Sequence, residues 1–263
     1  MYRIVYKFIL WYKEKNYFSN SIMDKLVYET MSANEARHWW FVSRAEIVEE
    51  ILNKYFPIKK NLEILDVGCG SGGNFKMLSR FGKITGIEPD EFAVKEAEKK
   101  KIAKLVLMDD FILNNKLKEN SFDLIVLTDV LEHIEMDNEA LIKIYKLLKK
   151  NGILLITVPA GMNIWSKHDE THHHFRRYSK KELKDKLTRS LFIIEQLSYF
   201  NFFLYPIVFI ERKLKLNKNE DDVDMSGGVL NSLLKAIFSS EKYWLRKKIS
   251  FPIGVSLITV CRK

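Results

Sequence analysis

LEILDVGCGSGG, at residues 62–73, is an apolar run that ends in a turn dense in glycine. Ile64, Leu65 and Val67 favour a strand, and the amphipathic residues 74–81 can open a helix. Glycine suits such a turn because it adopts positive φ and lets the backbone approach a ligand. The helix start then points unpaired N–H groups into the loop. This order of strand, loop and helix predicts a site for a nucleotide-like cofactor.

The same loop also satisfies the spacing of a dinucleotide site. Gly68, Gly70 and Gly73 fit GxGxxG, and Glu88 follows Gly68 by 20 positions. Asp66, two residues before the first glycine, has no purpose in a nicotinamide site. The acid in the strand therefore favours a different cofactor.

ILDVGCGSG with Asp66 and ITGIEPD with Glu88 resemble the cofactor motifs of class I methyltransferases that use S-adenosylmethionine (SAM). The resemblance implies that the acid and the glycines surround the methionine part of SAM. It also implies that Glu88 holds the ribose hydroxyls, since a carboxylate accepts two hydrogen bonds from a vicinal diol, and that Asp109 or Asp110 meets the adenine amino group. The implied cofactor-binding residues are Arg44, Asp66, Gly68, Cys69, Gly70, Gly72, Glu88, Pro89, Asp109, Asp110, Thr128, Asp129 and Val130.

HWWF at residues 38–41, followed by Arg44, is similar to the entry segment of a group of SAM methyltransferases, many of which act on quinone precursors, lipids or glycan intermediates. The resemblance implies that Arg44 pairs with the cofactor's carboxylate and that Trp39 and Trp40 contact the acceptor. In a second interpretation these aromatics only cap the sheet, because large aromatic side chains are core residues first.

DVLEHI, residues 129–134, places Asp129, Glu132 and His133 within one helical turn. An oxygen-rich metal site is geometrically feasible there. The pattern resembles that of quinone-pathway and small-RNA 2′-O-methyltransferases that use a divalent ion, although metal-free relatives carry it too. We favour a hydrogen-bonding role and no metal, with Mg²⁺ at these three residues as the less favoured interpretation.

NIWSKHDETHHHFRRYSKKEL, residues 163–183, is the most distinctive segment of the chain. Its density of histidine and arginine, on a loop expected at the active edge of the sheet, favours function over packing. A histidine can act as base for a hydroxyl acceptor, and paired arginines suit a phosphate or carboxylate. A solvated loop and a four-histidine metal site are less favoured interpretations of the segment. The catalytic candidates are His133, His168, His172 and His174, and the acceptor-binding candidates are Trp39, Trp40, Trp165, Arg176, Arg177 and Tyr178.

The composition is that of an ordinary globular protein. The 263 residues carry 43 Lys and Arg against 34 Asp and Glu, a formal charge of +9 that favours anionic partners such as phospholipid surfaces, nucleic acids or phosphorylated substrates. Two cysteines give no disulfide framework or zinc spacing. With no signal peptide and no apolar run near the ~20 residues of a membrane span, we expect a cytoplasmic protein, with peripheral contact at the inner membrane face as an option.

The alternation of strands and helices predicts an α/β fold, a Rossmann-like doubly wound sheet that is mostly parallel. The resemblance adds seven strands with an antiparallel last strand. We expect an N-terminal helical cap (1–60), a SAM-binding core (61–200), a helical insertion (201–250) and the closing strand (251–263). The pattern of residues 1–26 predicts a basic amphipathic helix that either packs on the domain or contacts a membrane. The insertion is either a lid or membrane-facing entrance, or plain helical packing.

The resemblance implies SAM-dependent methylation, for which we favour an oxygen atom of a lipid, quinone or glycan-type acceptor. An RNA methyltransferase would use the positive charge and bind RNA in a salt-dependent way; we regard nucleic acid as the less favoured partner. The glycine loop also suits a nicotinamide-dependent oxidoreductase, and the basic amphipathic segments suit a non-catalytic membrane-associated scaffold. The sequence gives no oligomeric state.

Overall fold

A seven-stranded sheet with the order β3-β2-β1-β4-β5-β7-β6 organises the computed structural model, which describes residues 25–57, 61–112, 114, 116–214 and 228–263. The strands from β1 to β5 pair in parallel, and β7 runs antiparallel to both of its neighbours, β5 and β6. The strands are β1 Leu62–Val67, β2 Gly82–Glu88, β3 Leu105–Met108, β4 Phe122–Thr128, β5 Leu148–Pro159, β6 Ile193–Phe200 and β7 Ser256–Arg262. This order confirms the predicted Rossmann-like, doubly wound fold with an antiparallel last strand.

Helices cover both faces of the sheet. The described helices are α1 Lys25–Asn34, α2 Trp39–Tyr55, α3 Phe75–Leu78, α4 Glu91–Lys99, α5 Asp137–Leu147, α6 Lys167–Thr171, α7 Lys180–Arg189, α8 Tyr205–Leu214, α9 Gly228–Ser240 and α10 Lys242–Arg246, with 3₁₀ turns at Leu131–His133 and Met162–Ile164. Among the described helices, none is long and apolar enough to cross a bilayer. The predicted helix at residues 1–26 falls largely outside the described residues, as does the charged loop 217–224.

Two hydrophobic cores form because successive strand residues point to opposite faces. Ile64 and Leu124 join the core under α2, whereas the next residues, Leu65 and Ile125, join the core under α5 and α7. Burial of β4 on both faces explains its nearly continuous apolar sequence.

One helix boundary differs from the prediction. The apolar pattern of residues 138–150 and the Asn151-Gly152 pair predict a helix that ends in a glycine cap, but α5 ends at Leu147 and β5 begins at the next residue. Asn151 has a φ of 64° inside the irregular start of β5, where the register against β4 shifts. Asn and Gly therefore mark a strand irregularity here, because both signals need only a left-handed residue.

The insertion contains three helices in its described part. The apolar side chains between Leu230 and Leu245 predict one helix with a single apolar face, but the segment breaks at Glu241 into α9 and α10. Glu241 Oε1 accepts hydrogen bonds from the backbone N–H of Phe202 at 2.7 Å and of Phe203 at 3.1 Å, which fixes the break against the end of β6. Helices α9 and α10 pack on α2, and α8 contacts the Met162–Ile164 turn.

Candidate functional site

The glycine loop after β1 needs its glycines for separate reasons. Gly68 has a φ of +63°, and an added Cβ would lie 2.6 Å from Val130 Cγ2. Gly72 has a φ of +84°, and its Cβ would lie 2.6 Å from Phe75 Cδ2. Gly70 has a φ of +52° with no atom within 4 Å of an added Cβ, so this position opens into free space. Two glycines thus permit close packing, and the third leaves room for a ligand.

A cavity of about 420 Å³ lies beside this loop, at the C-terminal ends of β1, β2 and β4. Open α/β sheets bind their ligands at this edge. Most of the predicted cofactor residues line it: Arg44, Gly68, Cys69, Gly70, Glu88, Pro89, Asp109, Asp110, Thr128, Asp129 and Val130, together with His133. Asp66 and Gly72 lie behind the wall.

Asp66 is fully buried at the end of β1, and neither carboxylate oxygen accepts a hydrogen bond from a described residue. Burial raises the pKa of Asp66 to about 7, although the Arg44 cation and the Asn74 amide oppose the shift. A buried carboxylate without a partner is costly to the fold. Asp66 does not line the cavity, but the next residue, Val67, does, so the negative charge of ionised Asp66 favours a cation bound there.

Glu88 is fixed at the end of β2. Its carboxylate accepts hydrogen bonds from the backbone N–H of Gly70 at 3.0 Å and of Asp90 at 3.2 Å. These bonds hold the carboxylate at the cavity wall, where the resemblance places the ribose hydroxyls.

Arg44 of α2 forms an ion pair with Asp129 inside the cavity. Asp129 has a φ of 56°, and its Oδ1 accepts a hydrogen bond from Thr157 Oγ1 at 3.1 Å. Arg44, which the resemblance pairs with the carboxylate of the cofactor, is thus held in place by Asp129 of the same cavity. A bound zwitterion would offer each member of this pair an opposite charge.

Helix α1 closes one side of the cavity, which sequence reasoning missed. Met31 and Glu35 line the cavity, Ser71 Oγ donates to Glu35 Oε2 at 2.7 Å, and Lys100 pairs with Glu35 Oε1. Glu35 thereby joins the glycine loop to the end of α4. The sequence carried no signal for this contact, since its partners lie far apart in the chain.

Histidines from two segments meet beside the cavity. His133 lines the cavity, and its ring lies edge-on to His174 at 4.6 Å between centroids. The His168 and His172 rings are 4.0 Å apart, and His172 lies 5.9 Å from His174. Burial, reinforced by the neighbouring histidines, lowers the pKa of His133 well below its usual value. His133 is accordingly neutral at neutral pH and able to accept a proton.

Asp169 orients His174 and was absent from the predicted site residues. It is fully buried, and its Oδ1 lies 2.8 Å from His174 Nδ1 and 2.7 Å from Arg177 Nε. Burial alone would raise the pKa of Asp169, but the His174 hydrogen bond and the Arg177 charge outweigh it, so the pKa lies below its usual value. A carboxylate at Nδ1 fixes the tautomer that leaves Nε2 as acceptor.

Glu132, His133 and His174 each offer one ligand atom, and these atoms lie within 4.8 Å of one another. Both Glu132 oxygens are buried, with no partner among the described residues. One carboxylate and two imidazoles suit a divalent ion. The predicted trio of Asp129, Glu132 and His133 needs one correction, since Asp129 pairs with Arg44 and His174 takes its place.

Several predicted acceptor and catalytic residues do not line the cavity. Trp40 stacks on Phe238 at 5.1 Å and Trp39 meets the same ring edge-on, so both aromatics pack the α2–α9 contact instead. Tyr178 is fully buried and donates to Asp137 Oδ2 at 2.9 Å.

The paired arginines also have internal partners. Arg176 pairs with Asp137 at 2.7 Å, and buried Arg177 pairs with Asp169. Both arginines thus already pair with acids of this chain, and their contact with a phosphate or carboxylate of the acceptor stays a prediction. Trp165, His168 and His172 lie in the same loop segment, away from the cavity lining.

Comparisons with known proteins agree with this geometry. The profile of a family described as "Methyltransferase domain" matches residues 65–156. Phosphoethanolamine N-methyltransferase of Plasmodium falciparum is 32% identical over 118 residues, covering 43% of this chain and 44% of that protein. Ubiquinone biosynthesis O-methyltransferase of Rickettsia canadensis is 32% identical over 116 residues, covering 42% of this chain and 48% of that protein. The chain thus spans just under half the length of these relatives.

A solved structure shares the fold. The SAM dependent methyltransferase from Archaeoglobus fulgidus superposes with a TM-score of 0.54 at 20% identity, over 83% of this chain and 94% of that one. The strand order, the glycine loop and the family match at residues 65–156 lead to one assignment. The chain has the fold of the class I SAM-dependent methyltransferases, and its residues 65–156 match their methyltransferase domain.

Proposed function

We propose that this chain transfers the methyl group of SAM to an oxygen atom of a lipid, quinone or glycan-type acceptor. The observation that carries the proposal is the cavity of about 420 Å³, which brings the glycine loop, Glu88 and the Arg44–Asp129 pair together with His133. One cavity wall suits the cofactor, and another carries a group able to take a proton.

The residues of the cavity suit the separate parts of SAM. In this proposal Arg44 holds the α-carboxylate, and Asp66 and Asp129 favour the cationic amino group. Glu88 accepts hydrogen bonds from the ribose diol, and Asp109 or Asp110 meets the adenine amino group. Gly70 leaves room for the ligand at its open side.

His133 and His174 supply the base. The acceptor oxygen attacks the methyl carbon in line with the sulfur, a C–O bond forms as the C–S bond breaks, and S-adenosylhomocysteine leaves. The hydroxyl proton passes to His133, directly or through His174, which Asp169 orients. Because desolvation and the neighbouring histidines lower the pKa of half-buried His133, it is neutral at neutral pH and needs no prior deprotonation.

Glu132, His133 and His174 would hold a divalent ion, which supplies a lowered pKa for an oxygen bound to it. In that case the same residues act as ligands and the proton leaves by another route. Chelator sensitivity separates the two versions of the site.

Support for an oily acceptor comes from two sides. One relative is named for ubiquinone biosynthesis, and the helix that covers the acceptor loop, α8, exposes apolar side chains. We extend the proposal to a peripheral contact with a membrane surface, where such an acceptor would be found.

The test is transfer of labelled methyl from SAM into cell extract separated into lipid, small-molecule, RNA and protein fractions, with magnesium and with chelator. We expect label in the lipid or small-molecule fraction. Label only in RNA would overturn the acceptor class. SAM binding without label in any fraction would favour the non-catalytic scaffold.

A further inference from the structure

Helix α8 has an unusual distribution of side chains, because none of its residues is buried although half of them are apolar. Ile207, Ile210 and Leu214 are 61%, 53% and 63% exposed, and their spacing places them on one side of the helix. An exposed apolar stripe that does not pack into a core either binds a partner or membrane, or makes the protein prone to aggregation.

The opposite side of α8 is anchored to the acceptor loop. Asn163 Nδ2 donates to Tyr205 Oη at 3.4 Å, and Arg212 donates to the Ile164 carbonyl at 2.8 Å. Arg212 also lies 3.6 Å from Asp169, the carboxylate that orients His174. The polar contacts fix α8 with its apolar stripe pointing outward, directly over the loop that carries the histidines.

Exposed aromatic residues lie near the start of α8. Phe203, just before α8, meets Trp244 of α10 at 5.6 Å between ring centroids. Trp244 and its neighbour Tyr243 are both exposed. Tryptophan and tyrosine are enriched at membrane–water interfaces, because each has an apolar body and a polar tip.

The charged side chains that extend from this surface into solvent include two lysines. Residues 201–214 and 242–253 carry six Lys or Arg and one acid. Four of the cations pair with Glu46, Glu50, Glu195 and Asp169, while Lys213 and Lys247 extend into solvent. Anionic headgroups would complement this charge.

We infer that the outer face of α8, with Phe203, Trp244 and Tyr243, docks on an anionic phospholipid surface. A helix of ten residues is about 15 Å long, which is too short to span a bilayer but sufficient to lie in its interface. A second copy of the chain is the weaker occupant, because a two-fold interface would place the same cations against each other. Docking would bring the acceptor loop to the lipid surface. This use of docking in methyl transfer rests on the proposed function, whereas the docking itself does not.

The test is flotation of the full chain with vesicles of phosphatidylcholine alone and with about one third phosphatidylglycerol. We expect binding to the anionic vesicles that weakens as salt rises. Ile210→Asp should reduce it roughly tenfold or more, because a charge at the interface opposes apolar insertion. Ile142→Asp is the matched control, since Ile142 on α5 is 50% exposed against 53% for Ile210, and it should bind as the wild type does.

Three results would overturn the inference. The first is that the wild type floats with neither kind of vesicle. The second is that Ile210→Asp and Ile142→Asp bind vesicles equally. The third is that sedimentation shows a wild-type dimer that Ile210→Asp dissociates, while vesicle binding is absent. Thermal unfolding of both variants verifies that each is folded. Vesicle binding is measured without SAM, so loss of binding with methyl transfer intact refutes only the docking face, and the reverse result refutes only the proposed activity.

Discussion

Asp66 destabilises the fold when it is ionised, yet its negative charge is what the proposed cofactor site needs. Its fully buried carboxylate has a pKa of about 7, against 3.8 for the unperturbed group. A folded pKa above the unfolded one means that ionisation destabilises the fold, and this cost sets in as pH rises from about 4 to 7. The cost is offset when a cation binds beside the carboxylate.

We therefore expect Asp66→Asn to stabilise the protein and to weaken SAM binding. At pH 8 its free energy of unfolding should rise by roughly 2 kcal/mol, with the difference from wild type vanishing below pH 4. SAM affinity should fall at least tenfold. Denaturant unfolding across pH and titration calorimetry measure the two effects; a variant less stable than wild type at pH 8 would contradict the account.

Substitutions at Gly70 and Gly68 distinguish ligand contact from packing. Gly70→Ala adds a methyl group where no atom lies within 4 Å, whereas Gly68→Ala drives a Cβ to 2.6 Å from Val130. Both substitutions strain a positive φ, at a cost of roughly 1 kcal/mol. We expect Gly70→Ala to lower the melting temperature only slightly but to bind SAM poorly. Gly68→Ala should lower the melting temperature by several degrees more. Equal SAM affinity of Gly70→Ala and wild type would show that the ligand lies elsewhere.

His174 and His173 are neighbours with opposite environments. His174 bonds to Asp169 and lies against His133, whereas His173 is exposed. His174→Asn should lower kcat at least tenfold with little change in the Kd for SAM, because it removes the proton acceptor or a metal ligand. His173→Asn, whose φ of 53° suits Asn, should leave kcat unchanged. Equal losses in the two variants would reject a role for His174.

Local motifs made some residues predictable and others not. Asp66, Glu88 and the glycines are read from short segments of the chain, because strand, turn and ligand contact are neighbours in sequence. Arg177 and Tyr178 were assigned to the acceptor from their type alone, and their buried partners, Asp169 and Asp137, are fixed only by tertiary packing.

Among the elements, α1 borders the cavity, and the acid that follows it, Glu35, bonds to the glycine loop. Glu35→Ala removes the bonds to Ser71 and Lys100 that hold α1 over the glycine loop. We expect dissociation of SAM to accelerate about three- to tenfold, equivalent to roughly 0.5–1.5 kcal/mol of lost closure. Stopped-flow displacement measures the rate. Glu91→Ala, which breaks only the exposed pair with Lys95 on α4, is the control and should not change it.

Element boundaries followed from the sequence less well than element order. The strands of the sheet, whose apolar runs are bounded by turn residues, appeared where their patterns indicated. Asn151 and Gly152 were interpreted as a helix end because a left-handed residue serves equally in a cap and in a strand irregularity. The break between α9 and α10 depends on the Glu241 contact with Phe202 and Phe203, which the apolar pattern does not encode.

For the whole molecule, the fold class was predictable because alternating strand and helix signals admit few topologies. The last two strands were not derivable from alternation, and the antiparallel β7 followed from the family resemblance. The charge of +9 indicated anionic partners without locating them. In the structure, exposed apolar side chains and exposed lysines lie on and near α8, which gives the overall positive charge a specific candidate surface.

Titration calorimetry with SAM, S-adenosylhomocysteine and NAD identifies the cofactor of the glycine loop. We expect SAM and S-adenosylhomocysteine to bind one per chain, NAD not to bind, and Glu88→Ala to weaken SAM binding at least tenfold through loss of the ribose contact. Binding of NAD without binding of SAM would contradict this expectation and restore the dinucleotide interpretation of the glycine loop.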